Sequence, residues 1–288
     1  MAGAMEVEPM PADPLRDHDA LRGYLNHIGY RGATDPSLAT LIPLSRLHMD
    51  AFVYENIDVQ LGRPVTRDPR AAFAKMVGGG RGGWCFEYNG LFAWMLELAG
   101  FRVLHLAGGV MREAAGDRMV GNHLVPVVVL DRLYLADVAM GVMPVPLVEG
   151  PIEQGWRRYA LERTRDGWWR FRNHPGALPP SFDFSLDCQD AELLDRQSEF
   201  LQTNPHSPFV RHAIMQCFLA DRIETLVGTA YSVPDATGER VAMLRTRDDY
   251  GRVLRERFGL YVPALDALWG RVSLAPQTGF LDGMDEAA

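Results

Sequence analysis

Cysteine is scarce. The 288 residues contain three, Cys85, Cys188 and Cys217, an odd number at wide spacings that supports neither a disulfide framework nor a zinc site. A chain without covalent staples must hold itself together by an apolar core, and a reducing, cytoplasmic setting is expected. Long apolar runs are also missing. The strongest, such as Val125 to Leu130, fall far short of the roughly 20 residues a membrane-spanning helix needs. Met1 to Pro14 has no basic stretch leading into an apolar one, so no secretory leader is read there. It is proline-rich and unpatterned, and 1–14 is expected to be a flexible arm. No block of lysine and arginine stands out, and 37 acidic side chains outweigh 29 basic ones for a formal charge of −8. Neither nucleic acid nor a membrane surface is therefore an expected partner.

What is present is apolar patterning of two kinds. From Leu15 to Gly100 the spacing is helical, as in Leu21, Leu25 and Ile28 and then Leu38, Leu41, Leu44 and Leu47, with breaks at Gly32, Pro36, Pro64 and Gly78-Gly79-Gly80. This half reads as a helical bundle. From Phe101 the pattern changes to short strands at Arg102–Val110, Asn122–Leu130 and Leu133–Val138, followed by a Trp/Arg-rich stretch from Trp156 to Phe171, which predicts a sheet or small barrel. The prolines between Asn173 and Phe184 mark an expected linker. Beyond it come an apolar segment, Phe209–Leu219, a strand expected over Arg240–Arg245, and a helix expected over Asp248–Phe258 with Asp248 and Asp249 at its positive end. The fold class is α+β.

One segment carries a chemical signal. Arg81-Gly82-Gly83-Trp84-Cys85-Phe86-Glu87-Tyr88-Asn89-Gly90 runs into the apolar stretch Leu91–Leu98, so Cys85 stands where a glycine-rich loop becomes a helix. The first N–H groups of a helix have no intrahelical partner and carry partial positive charge, which favours a thiolate over a thiol. Cys85 is accordingly the candidate nucleophile, and Cys188 and Cys217 default to packing. A thiol nucleophile usually needs an imidazole, and the imidazole an acceptor on its other nitrogen. His123 opens an apolar strand, and Asp137 interrupts the next one. If the turn between them is the three residues Leu130-Asp131-Arg132, Val129 faces Leu133, Val125 faces Asp137, and His123 and Asp137 become diagonal neighbours on one face. A two-residue turn would put them on opposite faces, so the pairing calls for a three-residue turn or a bulge with the same effect. The remaining histidines lack an acidic partner in an adjacent strand. Arg81 and Asn89 are read as supports for loop and helix geometry, with Glu87 pairing with Arg81.

A helix-borne cysteine followed by strand-borne histidine and aspartate is shared by thiol proteases, transglutaminases and certain acyltransferases, and geometry alone does not choose among them. The motifs do more. R-G-G-W-C-F-E-Y-N-G-L-F-A-W resembles the nucleophile motif of the arylamine N-acetyltransferases, and Y-E-N-I-D-V-Q-L-G-R-P at 54–64 resembles that family's upstream motif. The stretches around His123 and D-V-A-M-G at 137–141 follow in the family's order. The resemblance implies a thiol-protease-like core of three units: a helical bundle over 15–100 carrying the nucleophile, a β-barrel over 101–205 carrying His123 and Asp137, and an α/β lid over 206–288. It implies a Cys85–His123–Asp137 triad, an oxyanion site at the backbone of Cys85 and Phe86, acetyl-CoA as co-substrate, small aromatic amines as acceptors, and no metal.

Departures from the family pattern fall on the implied acceptor pocket. Tyr54 replaces a usual phenylalanine, and Ala139 and Met140 replace the glycine and phenylalanine of D-V-G-F-G. A methionine makes a more adaptable wall, and the Tyr54 hydroxyl calls for a polar partner. Asn122 and Gly141 are placed near the acyl donor. The alternative activity is that of the related amide synthases, which take an acyl chain from a carrier-protein or other non-acetyl thioester. Peptide hydrolysis, and an inactive relative that only binds small molecules, are the remaining readings.

Overall fold

In the computed structural model, residues 14–274 are described. The arm expected over 1–14 lies outside them, apart from Pro14, which begins the first helix. Helices α1 (Pro14–His27) and α2 (Leu38–Ala51) lead to a two-residue strand β1 (Tyr54–Glu55), short helices α3 (Ile57–Gln60) and α4 (Pro69–Phe73), and the long helix α5 (Cys85–Leu98). Strand β2 (Arg102–Val110) and a single helical turn α6 (Arg112–Ala115) follow. Then come β3 (His123–Val129), β4 (Leu133–Leu135), β5 (Val145–Pro146), β6 (Gly150–Gln154), β7 (Arg157–Arg163), β8 (Trp169–Arg172) and β9 (Ser181–Phe184). The last part holds α7 (Ala191–Thr203), α8 (Pro208–Arg211), β10 (Ile214–Phe218), β11 (Ile223–Val227), β12 (Ala230–Asp235), β13 (Gly238–Met243), α9 (Arg247–Phe258) and α10 (Leu265–Val272).

Every residue of α5 from Cys85 to Leu96 is buried. A helix apolar on all sides belongs in a core, and α1 and α4 pack on one side of it while β2 and β3 cover another. The helix end bearing Cys85 is thereby fixed against the sheet that bears His123.

Eight strands form one antiparallel sheet in the order β5-β4-β3-β2-β9-β8-β7-β6. Its two edges, β5 and β6, are separated in sequence only by residues 147–149, a link that reaches about 14 Å at most. Eight flat strands would hold their edges about 33 Å apart, so the sheet has to curl back on itself as a nearly closed half-barrel. Leu106, Val125, Val127, Phe171, Phe182 and Phe184 fill its interior. A second, five-stranded sheet has the order β1-β10-β11-β12-β13 and packs against α9 and α10. Its first strand comes from residues 54–55, far upstream of the others.

Two readings of the sequence are sharply met. β2 spans Arg102–Val110 as expected, and the β3–β4 register pairs Val129 with Leu133 and Val127 with Leu135, which leaves a three-residue turn. The expected strand near 240–245 is β13, and the expected helix over 248–258 is α9, capped by Thr246 accepting from the Asp249 N–H. One reading is corrected. Asn173–Phe184 is no linker: residues 173–180 are a hairpin loop between β8 and β9, and Ser181–Phe184 is a fully buried inner strand beside β2.

Candidate active site

The loop ahead of α5 is positioned by main-chain contact with β1. Glu55 N donates to Gly83 O at 2.9 Å, and Gly83 N to Val53 O at 3.3 Å. A Cβ on Gly82 would lie 1.9 Å from Val53 O, so only glycine allows the two backbones to approach this closely. The two long motifs of the sequence thus meet at one place and set the start of α5.

Charges behind the loop lock it. Glu55 is wholly buried. Its Oε1 accepts from Arg81 Nε and Nη2 at 2.9 and 2.7 Å, and its Oε2 from Ile57 N at 2.6 Å. Lys75 Nζ sits 2.9 Å from both Glu87 oxygens and 2.9 Å from Asp58 Oδ2. The expected Glu87–Arg81 pair is therefore replaced by Glu87–Lys75 and Arg81–Glu55. The swap follows from β1 docking on the loop, which delivers the Glu55 carboxylate to Arg81. Glu87 also accepts from Trp84 N at 3.4 Å, capping α5. Burial pushes the Glu87 carboxyl up to about 7, even though Lys75 pulls it the other way.

His123 and Asp137 are brought together, but not as paired strand positions: the strand expected over Leu133–Val138 ends early, so Asp137 reaches the ring from a helical turn and not from a place opposite Val125. His123 Nε2 lies 2.7 Å from Asp137 Oδ2, and both residues are almost completely buried. β4 stops at Leu135, and Asp137 caps a short helical turn over Val138–Met140, accepting from Met140 N at 3.2 Å. The other ring nitrogen of His123, Nδ1, takes no part in that bond, and the Cys85 side chain is near enough to act on the imidazole. Burial alone would lower the His123 pKa. The Asp137 charge and hydrogen bond, with the Cys85 sulfur, outweigh it and push it up to about 10.

Asn89 does more than support the helix. Its Nδ2 donates to Asp137 Oδ1 and to Leu124 O, both at 2.8 Å, and its Oδ1 accepts from Ala139 N at 2.9 Å. It fixes the Asp137 carboxylate from the same helix that carries Cys85. The signal was in the spacing, because residues 85 and 89 share one helix face.

Cys85, His123, Tyr54, Asn122, Ala139 and Met140 line one cavity of about 440 Å³, closed on its far side by residues of β10–β12 and by the 173–180 loop. The Tyr54 hydroxyl has Cys85 as its polar neighbour. Burial first, and then the Cys85 sulfur, raise the Tyr54 phenol well above its ordinary value. The Asn122 amide is engaged with Val110, accepting from its N–H at 2.8 Å and donating to its carbonyl at 3.1 Å, which clamps β2 to the entry of β3. Gly141 lies behind Met140, in left-handed backbone, where a Cβ would strike the Phe218 ring at 2.2 Å. Phe86 is buried beneath the loop with its ring against Trp84. Burial pushes the Cys217 thiol up to about 12 and raises Cys188 as well, unlike what a nucleophile needs.

No helix among the described residues is long and apolar enough to cross a membrane. The N-acetyltransferase family profile matches residues 37–267. The chain is 34% identical over 201 residues to an arylamine N-acetyltransferase of Mycolicibacterium smegmatis, a match covering 66% of this chain and 73% of the relative. It is 31% identical over 253 residues to that of Mycobacterium tuberculosis H37Rv, covering 84% and 89%. Among solved structures, the Mycobacterium marinum arylamine N-acetyltransferase in complex with CoA superposes with a TM-score of 0.79 at 29% identity, covering 88% of this chain and 98% of that one.

Proposed function

Because this chain belongs to the arylamine N-acetyltransferase family, we propose that it carries an acetyl group from acetyl-CoA to arylamines and arylhydrazines through an acetyl-cysteine on Cys85. The observation that supports this most is the His123 ring, held by Asp137 and acted on by Cys85, with Cys85 and His123 lining one cavity. The imidazolium gives a Cys85 thiolate its counter-charge.

In the first half-reaction the thiolate attacks the thioester carbonyl, the C–S bond to CoA breaks, and His123 protonates the departing CoA sulfur. Donors at the backbone of Cys85 and Phe86 meet the oxyanion, each contributing about 3 kcal/mol. The amine nitrogen then attacks the acetyl-cysteine, the C–S bond to Cys85 breaks, and His123 takes the amine proton while Asp137 stabilises the imidazolium. Exchange of one thioester for another is nearly balanced in free energy, whereas amide formation runs downhill, so a thiol relay holds the acetyl group without trapping it. Arylamines are weak bases and keep a free lone pair at neutral pH.

Initial rates with acetyl-CoA and an arylamine test the proposal. Parallel double-reciprocal lines, with free CoA released once per enzyme when no amine is present, are expected. Intersecting lines without that burst would refute a covalent relay.

A further inference from the structure

Arg157 opens β7 and is 5% exposed, yet it faces the same cavity as Cys85 and His123. Among the described residues no carboxylate lies within ion-pair distance of it, and its Nη1 is buried without a hydrogen-bond partner. Other largely buried arginines are matched. Arg81 holds Glu55, and Arg112 and Arg170 both hold Asp183. Around Arg157 the neighbours supply no negative charge. Its guanidinium carbon stands 5.6 Å from the centre of the Tyr159 ring, and besides that phenol the charged group acting on it is another cation, Arg46. Arg46 is itself occupied by Asp50 and by the Phe218 carbonyl.

An arginine remains charged in any protein environment, and a buried charge without a partner is costly. The residue before it deepens the mismatch. Trp156 also lines the cavity, and its Nε1 is buried with no partner. Indole and guanidinium are donors only, so the missing group must bring acceptor lone pairs, and the fixed positive charge calls for an anion. Two carboxylates belong to the cavity wall, but neither meets Arg157: Asp235 is held by Arg240 at 2.8 Å and by Thr237 N at 2.7 Å, and Glu239 is exposed.

We propose that Arg157, with Trp156 lining the same cavity, is a specificity-determining residue that binds the carboxylate of an anionic aromatic acceptor, a ring bearing both an amine and an acid. A planar carboxylate matches the guanidinium fork in two parallel hydrogen bonds. A site this deeply buried favours a singly charged carboxylate over a phosphate of CoA, whose dianion is harder to dehydrate. The inference rests on the acetyl-transfer reading above, since it names the acceptor class of that site.

The test compares 2-, 3- and 4-aminobenzoate with their methyl esters on wild type, Arg157→Met and Arg157→Lys. The wild type is expected to prefer at least one acid over its ester. Arg157→Met should lower kcat/KM for that acid by about 30-fold or more, mainly through KM, while the ester changes little. Arg157→Lys, which keeps the charge without the fork, should fall between, and provides the reading if Arg157→Met does not fold. Acetylation of the enzyme by acetyl-CoA alone should be unaffected in both variants. The proposal is overturned if the wild type uses every ester as well as its acid, or if the variants leave the acid-to-ester ratio unchanged. Slowed acetylation by acetyl-CoA with that ratio unchanged would assign Arg157 to a CoA phosphate instead. A wild type that never takes up acetyl refutes the acetyl-transfer reading rather than this one. In that case calorimetric titration with the aminobenzoates still reads Arg157, and equal affinity in wild type and Arg157→Met would overturn the carboxylate site.

Discussion

Replacing Asp137 by asparagine should do more than remove a charge. Two donors, Asn89 Nδ2 at 2.8 Å and Met140 N at 3.2 Å, converge on Asp137 Oδ1. In Asp137→Asn they would hold the amide oxygen at that position, which turns the amide NH2 toward His123. The ring nitrogen that now lies 2.7 Å from Oδ2 would then have to accept a hydrogen bond. The imidazole proton is forced onto Nδ1, the nitrogen facing Cys85, so the ring can no longer take the thiol proton. The electrostatic loss is also large. The rise of His123 from 6.5 to about 10 is a net gain over burial, supplied by Asp137 and Cys85, and corresponds to about 5 kcal/mol in favour of the imidazolium. Removing the Asp137 share, together with the wrong tautomer, should slow acylation of Cys85 by about 10³- to 10⁴-fold. Rapid-quench mass analysis of the enzyme mixed with acetyl-CoA at neutral pH reads this directly, with circular dichroism confirming an intact fold. A folded Asp137→Asn enzyme that acylates within about tenfold of wild type would refute the positioning argument.

Other outcomes follow from single contacts. Gly82→Ala places a Cβ 1.9 Å from Val53 O; the backbones must part, and a loss of about 3 kcal/mol in denaturant unfolding is expected, whereas an unchanged midpoint would contradict the packing. Asn89→Ala leaves Leu124 O, Asp137 Oδ1 and Ala139 N without their partner; it should cost about 3 kcal/mol or more of stability and also slow acylation, and a variant stable but equally slow would separate the two roles. Glu87 and His123 both have pKa values raised by folding, to about 7 and about 10. Their stabilising contributions are complete below the unfolded values, near 4.5 and 6.5, and are lost as pH rises through the folded ones. Unfolding free energy should therefore decline between about pH 4.5 and 7 by up to about 3 kcal/mol on account of Glu87, and Glu87→Gln should flatten that limb; a slope unchanged in the variant would contradict the assignment.

The parts of the fold that depend on neighbours in sequence were readable from sequence. The glycine pair and apolar run fixed the start of α5, and the same-face demand on His123 and Asp137 gave the length of the β3–β4 turn. Proline content could not tell a linker from a hairpin loop at 173–180, because the distinction depends on β8 and β9 pairing across it. The union of β1 with β10 joins Tyr54 to Gln216, and no local pattern announces a contact over that span. That union also decides which carboxylate Arg81 meets, which is why the Glu87–Arg81 pairing was the wrong choice. Asn89 could have been found from its helical offset to Cys85. Arg157 could not, since its burial and its want of a partner are properties of the folded cavity.

The central claim is that Cys85 carries the acetyl group. Intact-protein mass analysis after mixing with acetyl-CoA, with no amine present, followed by peptide mapping, addresses it in one step. One acetyl group on the peptide containing Cys85, absent in Cys85→Ala and discharged when an arylamine is added, is the expected result. An unmodified wild-type mass, or an acetyl group on Cys188 or Cys217 that the amine does not remove, would contradict it.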